Sequence, residues 1–219
     1  MGEPFIFYSS LHQLELTGRK ARNAAELLAG IREVPDAVIY HHTHRYLAQH
    51  QYLSPEPPND FDYWATNMLG DVLLGERLAS VDICQFSSIS VLRQALVNCL
   101  QDGTTRLERD ARRAPPGYEF QFIKAVTFVI PTGYMARDLP EFLKGLQEVT
   151  IHSFYHHIFE ARLRLSKGTN DFSRWLEESL GETELAQQIA RLDPYTHTME
   201  GLRSKLCGLV RQRLGGQDA

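Results

Sequence analysis

One register of recurring residues runs almost the length of this 219-residue chain, and it constrains the fold more than any single motif. Phe5, Phe7, Thr17-Gly18, Ala21-Arg22, Glu26, Leu28, Gly30, Glu33-Val34 and Tyr40-His41-His42 return as Phe120, Phe122, Thr132-Gly133, Ala136-Arg137, Glu141, Leu143, Gly145, Glu148-Val149 and Tyr155-His156-His157. The offset of 115, the distance from Tyr40 to Tyr155, holds without a gap. Beyond it, Asn59-Asp60-Phe61, Trp64, Leu69-Gly70 and Asp82 match Asn170-Asp171-Phe172, Trp175, Leu180-Gly181 and Asp193 at 111, and Leu92-Arg93 matches Leu202-Arg203 at 110. The pattern predicts a tandem duplication of a unit of about 100 residues. Two copies of one unit are expected to pack with pseudo-two-fold symmetry, as the subunits of a symmetric dimer do. The expected boundaries are repeat 1 over 1–101, a linker over 102–117, repeat 2 over 118–214 and a C-terminal tail over 215–219.

Within each unit the spacing predicts a mainly α fold with minor β. Phe120, Phe122, Lys124, Val126, Phe128 and Ile130 alternate as a strand does, and Phe5 to Leu16 is their weaker counterpart. Thr17 and Thr132 stand where a helix N-cap is expected, ahead of Ala-, Leu- and Glu-containing stretches ending near Val34 and Val149. Apolar residues at Ile151, Phe154, Tyr155, Ile158, Phe159 and Leu163 follow a 3.6-residue period, so this segment and its counterpart from Asp36 to Leu53 read as helices. Further helices are expected after each Asn-Asp-Phe, over Val72 to Val81 and Thr183 to Leu192, and over Ile89 to Leu100 and Met199 to Leu214. Asp102 to Gly117, closed by Pro115-Pro116-Gly117, has the composition of a linker, and Ser54-Pro-Glu-Pro-Pro58 is a loop that the second copy shortens.

Composition narrows the function classes. A 43% hydrophobic, 23% charged chain belongs with globular proteins, and a formal charge of −4 gives no general attraction to nucleic acid. The one dense basic cluster, Arg106, Arg109, Arg112 and Arg113, is interrupted by Glu108 and Asp110 and reads as a solvated linker. No apolar run approaches the ~20 residues of a membrane span, and no signal-peptide pattern opens the chain. Three scattered cysteines, Cys84, Cys99 and Cys207, fit a reducing compartment, so the expected location is the cytoplasm, with neither nucleic acid nor membrane as partner.

The duplicated Tyr40-His41-His42 and Tyr155-His156-His157 are the candidate ligand-binding residues, since seven of the nine histidines fall in these two segments. On a helix His152, His156 and Glu160 share one face at i, i+4 and i+8, a stripe that could hold a divalent metal. The competing reading makes the histidines part of the scaffold, bonded to a carboxylate or carbonyl. Asn59, Asp60 and Trp64, with Asn170, Asp171 and Trp175, read as helix caps and core anchors, and Asp82 with Arg93 and Asp193 with Arg203 as internal ion pairs or caps. No nucleotide-binding glycine loop, zinc-protease helix motif or nucleophile elbow occurs.

Several runs carry a family resemblance: Ser54-Pro-Glu-Pro-Pro-Asn-Asp-Phe61, Pro131-Thr-Gly133, His157-Ile-Phe-Glu-Ala-Arg-Leu-Arg-Leu165, Asn170-Asp-Phe-Ser-Arg-Trp175 and Leu192-Asp-Pro-Tyr-Thr-His197. Over nearly its whole length the chain resembles a bacterial family catalogued as a domain of unknown function. The resemblance implies membership and brings no activity or cofactor with it. The sequence reading is therefore a cytoplasmic, non-catalytic binding or regulatory protein with a protein or small-molecule partner. The alternative is a metal- or small-molecule-binding protein, or an enzyme, with a His-rich site at the repeat interface.

Overall fold

The computed structural model describes residues 2–46, 59–86, 88–102, 111–161, 169–192 and 198–215. Two long strands, β1 (Phe5–Ala21) and β2 (Phe120–Ala136), form a two-stranded antiparallel sheet. After β1 come α1 (Ala24–Glu33), α2 (Asp36–Tyr40), a π-helical segment (His41–Arg45), α3 (Asp60–Asn67), α4 (Val72–Ala79), a short 3-10 turn (Ile83–Gln85) and α5 (Ile89–Gln101). After β2 come α6 (Leu139–Glu148), α7 (Ile151–Tyr155), a second π-helical segment (His156–Glu160), α8 (Asp171–Leu180), α9 (Thr183–Ala190) and α10 (Met199–Gly215). The fold is mostly helical with minor strand content.

Contacts divide the chain into a central unit, His12–Val126, and a terminal unit made of Met1–Leu11 together with Thr127–Ala219. The division by contacts differs from the division by sequence register, because each strand begins among helices from the other half of the sequence. In the terminal unit Phe5 and Phe7 lie in a core with Phe142, Phe154, Phe172 and Trp175. In the central unit Phe120 and Phe122 lie in a core with Leu27, Ile31, Phe61 and Trp64. Two glycines admit the deepest rings. A Cβ on Gly145 would stand 2.4 Å from the Phe7 ring, and one on Gly30 would stand 2.1 Å from that of Phe122. The strand starts are also tied by tryptophans, Trp175 donating its indole N–H to the Glu3 carbonyl (2.8 Å) and Trp64 to that of Tyr118 (2.8 Å).

Thr17 and Thr132 are not helix caps. Both lie inside strands, each followed by a glycine with left-handed backbone, Gly18 at φ 76° and Gly133 at φ 85°. A positive-φ residue interrupts a strand's regular ladder at little cost only when it is glycine. The threonine hydroxyls donate across the sheet, Thr17 to the Phe122 carbonyl (2.7 Å) and Thr132 to that of Phe7 (2.8 Å). The caps of the following helices are Asn23 and Asp138, which accept from the Glu26 and Glu141 amides. The Thr-Gly pair before a helix-favouring run misplaced the helix start, and the strands extend further than their apolar alternation shows.

Asn59 and Asn170 cap α3 and α8 as expected, accepting from the Asp62 and Ser173 amides at 2.9 Å each. Arg93 pairs with Asp36 (2.6 Å) and donates to the Ile31 carbonyl, while Arg203 donates to the Val149 carbonyl (2.8 Å). These arginines tie helices within their own unit, where the sequence suggested pairing with Asp82 and Asp193. At the 3-10 turn the backbone carbonyl of Asp82 accepts the Gln85 amide, and Asp193 lies outside the described residues. Of the basic linker cluster, Arg112 donates to the Gly70 carbonyl, and Arg106 and Arg109 lie outside the described residues.

Candidate functional site

Both histidine pairs occupy corresponding π-helical segments. A π turn is rare and concentrates at functional sites, because it rotates side chains out of α-helical register. The four histidines His41, His42, His156 and His157 are buried, between 1% and 8% exposed.

The second histidine of each pair is spent on the scaffold. His42 Nε2 accepts the backbone N–H of Ile123 (2.9 Å), and His157 Nε2 accepts that of Tyr8 (2.8 Å). A nitrogen that accepts carries no proton, so in each ring Nδ1 holds the hydrogen and donates it to a carboxylate: Asp60 for His42 (2.6 Å) and Asp171 for His157 (2.8 Å). Each ring thus links an aspartate at the first turn of α3 or α8 to the start of a strand in its own unit. Asp60 and Asp171, read from sequence as cap and anchor, hold histidine tautomers. The Asn-Asp pair concealed this, since the neighbouring asparagine does the capping.

The first histidine of each pair diverges. In the terminal unit His156 Nδ1 donates to Glu160 (2.7 Å), one turn on, and both are buried. His156 lines a cavity of about 380 Å³ together with Phe5, Tyr8, Arg174, Trp175 and Glu178. A buried carboxylate that fixes an imidazole tautomer is also how enzymes orient a general base and how metal ligands are aimed. In the central unit the position of Glu160 is taken by Arg45. There His41 Nδ1 and Arg45 Nε are buried with no hydrogen-bond partner among the described residues. Burial, reinforced by the neighbouring His42 and Arg45, lowers the His41 pKa from its ordinary 6.5 to about 4, and burial lowers that of His44 likewise.

Tyr40 and Tyr155 flank the pairs without entering these hydrogen bonds. Tyr40 stacks on His44 at 6.1 Å and Tyr155 on Phe159 at 4.7 Å.

The proposed metal stripe is only partly assembled. His156 and Glu160 meet, whereas His152 is exposed. The donor group that does gather is His156, His157 and Asp171, with candidate atoms within 4.8 Å of one another. His157 suits a cation poorly. Its Nε2 is engaged by Tyr8 N–H, and freeing Nδ1 would shift the proton to Nε2, setting donor against donor. No helix among the described residues is long and apolar enough to cross a membrane.

A family model described as a family of unknown function, DUF5752, spans residues 2–211. The chain belongs to this family. Its structure is similar to that of OrfY from Thermoproteus tenax, with 32% sequence identity, a TM-score of 0.80 and coverage of 96% of this chain and 95% of that one. No curated protein matches the chain.

Proposed function

We propose that this DUF5752 protein is a cytoplasmic, non-catalytic binding or regulatory protein, built by tandem duplication with the pseudo-two-fold relation such duplication brings. The observation that carries this reading is the apolar surface of its two-stranded sheet. Nine of the large hydrophobic side chains exposed among the described residues lie on β1 and β2, among them Leu11 (56%), Leu16 (71%), Phe128 (50%) and Val129 (50%). Among the described residues the two-stranded ribbon leaves an unpaired edge on each strand, and exposed apolar side chains beside open edges form the kind of surface that pairs with another chain. Support for the duplication comes from contacts recurring at register-matched positions: Tyr8 and Ile123 on histidines, Glu3 and Tyr118 on tryptophans. Free thiols at Cys99 and Cys207 fit a reducing compartment.

The test is affinity capture from a lysate of the source organism with the wild-type chain and a Phe128→Lys/Ile130→Lys double variant of unchanged melting temperature. A partner held stoichiometrically by the wild type and released by the variant supports the reading. Equal recovery by both, or no partner at all, overturns the ribbon as the binding surface.

A second reading, a small-molecule site, is favoured by the His156–Glu160 pair on the wall of the 380 Å³ cavity. Metal analysis of untagged protein tests its cation form: stoichiometric metal lost in His156→Ala assigns the cavity to a cation, and absence of metal overturns that form.

A further inference from the structure

At matching positions of the two π segments, one unit places a carboxylate beside a buried histidine and the other places a guanidinium. Glu160 accepts the Nδ1–H of His156 at 2.7 Å, so that ring's hydrogen-bonding requirement is met within the chain. In the central unit nothing described performs that role. His41 Nδ1 and Arg45 Nε are each withdrawn from solvent and unpartnered, and His41 is only 8% exposed. A buried polar atom without a partner costs about 1–3 kcal/mol, and two on the same π segment form an exception to the near-complete pairing of buried polar groups. An orphaned pair of this kind is explained when a group from outside completes it.

Both orphans can act as donors. Arg45 Nε always carries a hydrogen, and a neutral His41 can hold its proton on Nδ1, as His42 does beside it. Two donors that find no acceptor among the described residues require one, and a carboxylate is the acceptor that the terminal unit supplies at this register. Arg45 also adds the charge and planar fork that match a carboxylate. Of the groups bearing on His41, Arg45 is the permanent cation and Asp60 the anion that opposes it, so Arg45 supplies the charge that an entering anion would meet.

We propose that His41 and Arg45 form a binding site for the carboxylate group of a small molecule, which fills in the central unit the place that Glu160 fills in the terminal one. The inference rests on the register of the proposed duplication and is independent of the apolar ribbon. The central unit is thereby open to a ligand at the position where the terminal unit is closed by its own Glu160. Arg45 and His41 are binding residues and require no chemical step.

The test titrates the full-length protein with succinate and, separately, with inorganic phosphate, following the His41 imidazole ¹⁵N signals assigned through a His41→Asn variant. Saturable shifts of the His41 ring with succinate are expected, at least about tenfold weaker in Arg45→Gln, for loss of one charge-assisted bond. Arg45→Glu recreates the pairing of the other unit, so it is expected to melt higher than wild type and to lose its response to succinate. Saturation by phosphate alone overturns the carboxylate assignment. Absence of saturation with either anion, or undiminished succinate binding in both Arg45 variants, overturns the site. Because these readouts come from His41 itself, they are unaffected by whether the ribbon captures a partner.

Discussion

The terminal and central units bind their strand starts by the same contacts and differ at one histidine. His157 and His42 each join a strand amide to an aspartate, and Trp175 and Trp64 each hold a strand carbonyl, at distances that agree within 0.2 Å from one unit to the other. A step away, His156 has Glu160 while His41 has Arg45. The difference shows which positions are fixed by folding. A histidine whose two nitrogens are both committed cannot change without releasing a strand, whereas its neighbour can exchange an internal partner for an external one.

The comparison is tested most severely at the rings that dock the strands. Phe7→Ala and Phe122→Ala should each destabilise the protein by about 3–5 kcal/mol, since both rings are fully buried against a glycine. Chemical denaturation measures both, and a loss below about 1 kcal/mol in either would mean that the two strand starts are not equivalently docked.

The histidine clamps should separate the units. Removing an imidazole leaves its aspartate behind, and the Asp171 side chain is 9% exposed against 27% for Asp60. His157→Ala is expected to cost about 3–5 kcal/mol, and His42→Ala about 1–3 kcal/mol. Equal losses would show that burial of the aspartate does not set the cost.

Acid should act on the central unit. His41 and His44 are held near 4, below their ordinary 6.5, so the unfolded chain takes up their protons first and stability falls as pH drops from 6.5 to 4. Asp62 works the other way: burial raises it to about 6, and its protonation on acidification favours the folded state. Two groups against one leave a net loss of about 3 kcal/mol. Unfolding free energies across this range check the sign, and amide exchange shows whether the central unit opens first.

The caps give the smallest contrast. Asn59 Nδ2 donates to the Leu78 carbonyl (3.0 Å), while Asn170 Nδ2 is buried without a partner among the described residues. Aspartate caps a helix about as well as asparagine, so Asn170→Asp should change the melting free energy by less than about 0.5 kcal/mol and Asn59→Asp should cost about 1 kcal/mol. Thermal melts of the two variants decide it.

The legible parts of this protein are those that local chemistry dictates. Asn59 and Asn170 announced their helices because an asparagine side chain satisfies amides three residues on, and the periodicity of Ile151 to Phe159 marked a buried helical face. Tyr-His-His marked the candidate site because its residues recur together. Thr17-Gly18 and Thr132-Gly133 misled because a hydroxyl before a helix-favouring run resembles a cap until the strand partner is known. Nor could spacing separate His42 from His41, since what distinguishes them is a backbone amide 81 residues away.

The sequence by itself determined the register, the mainly helical content and the family, because repeated residues, caps and periodicity act within a few neighbours along the chain. Tertiary structure alone decided that each strand begins among helices from the other half and that one histidine of each pair is bound at both nitrogens. Those outcomes depend on which buried donors and acceptors meet across long stretches of chain, 81 residues for His42 and 149 for His157, and no local pattern encodes that meeting.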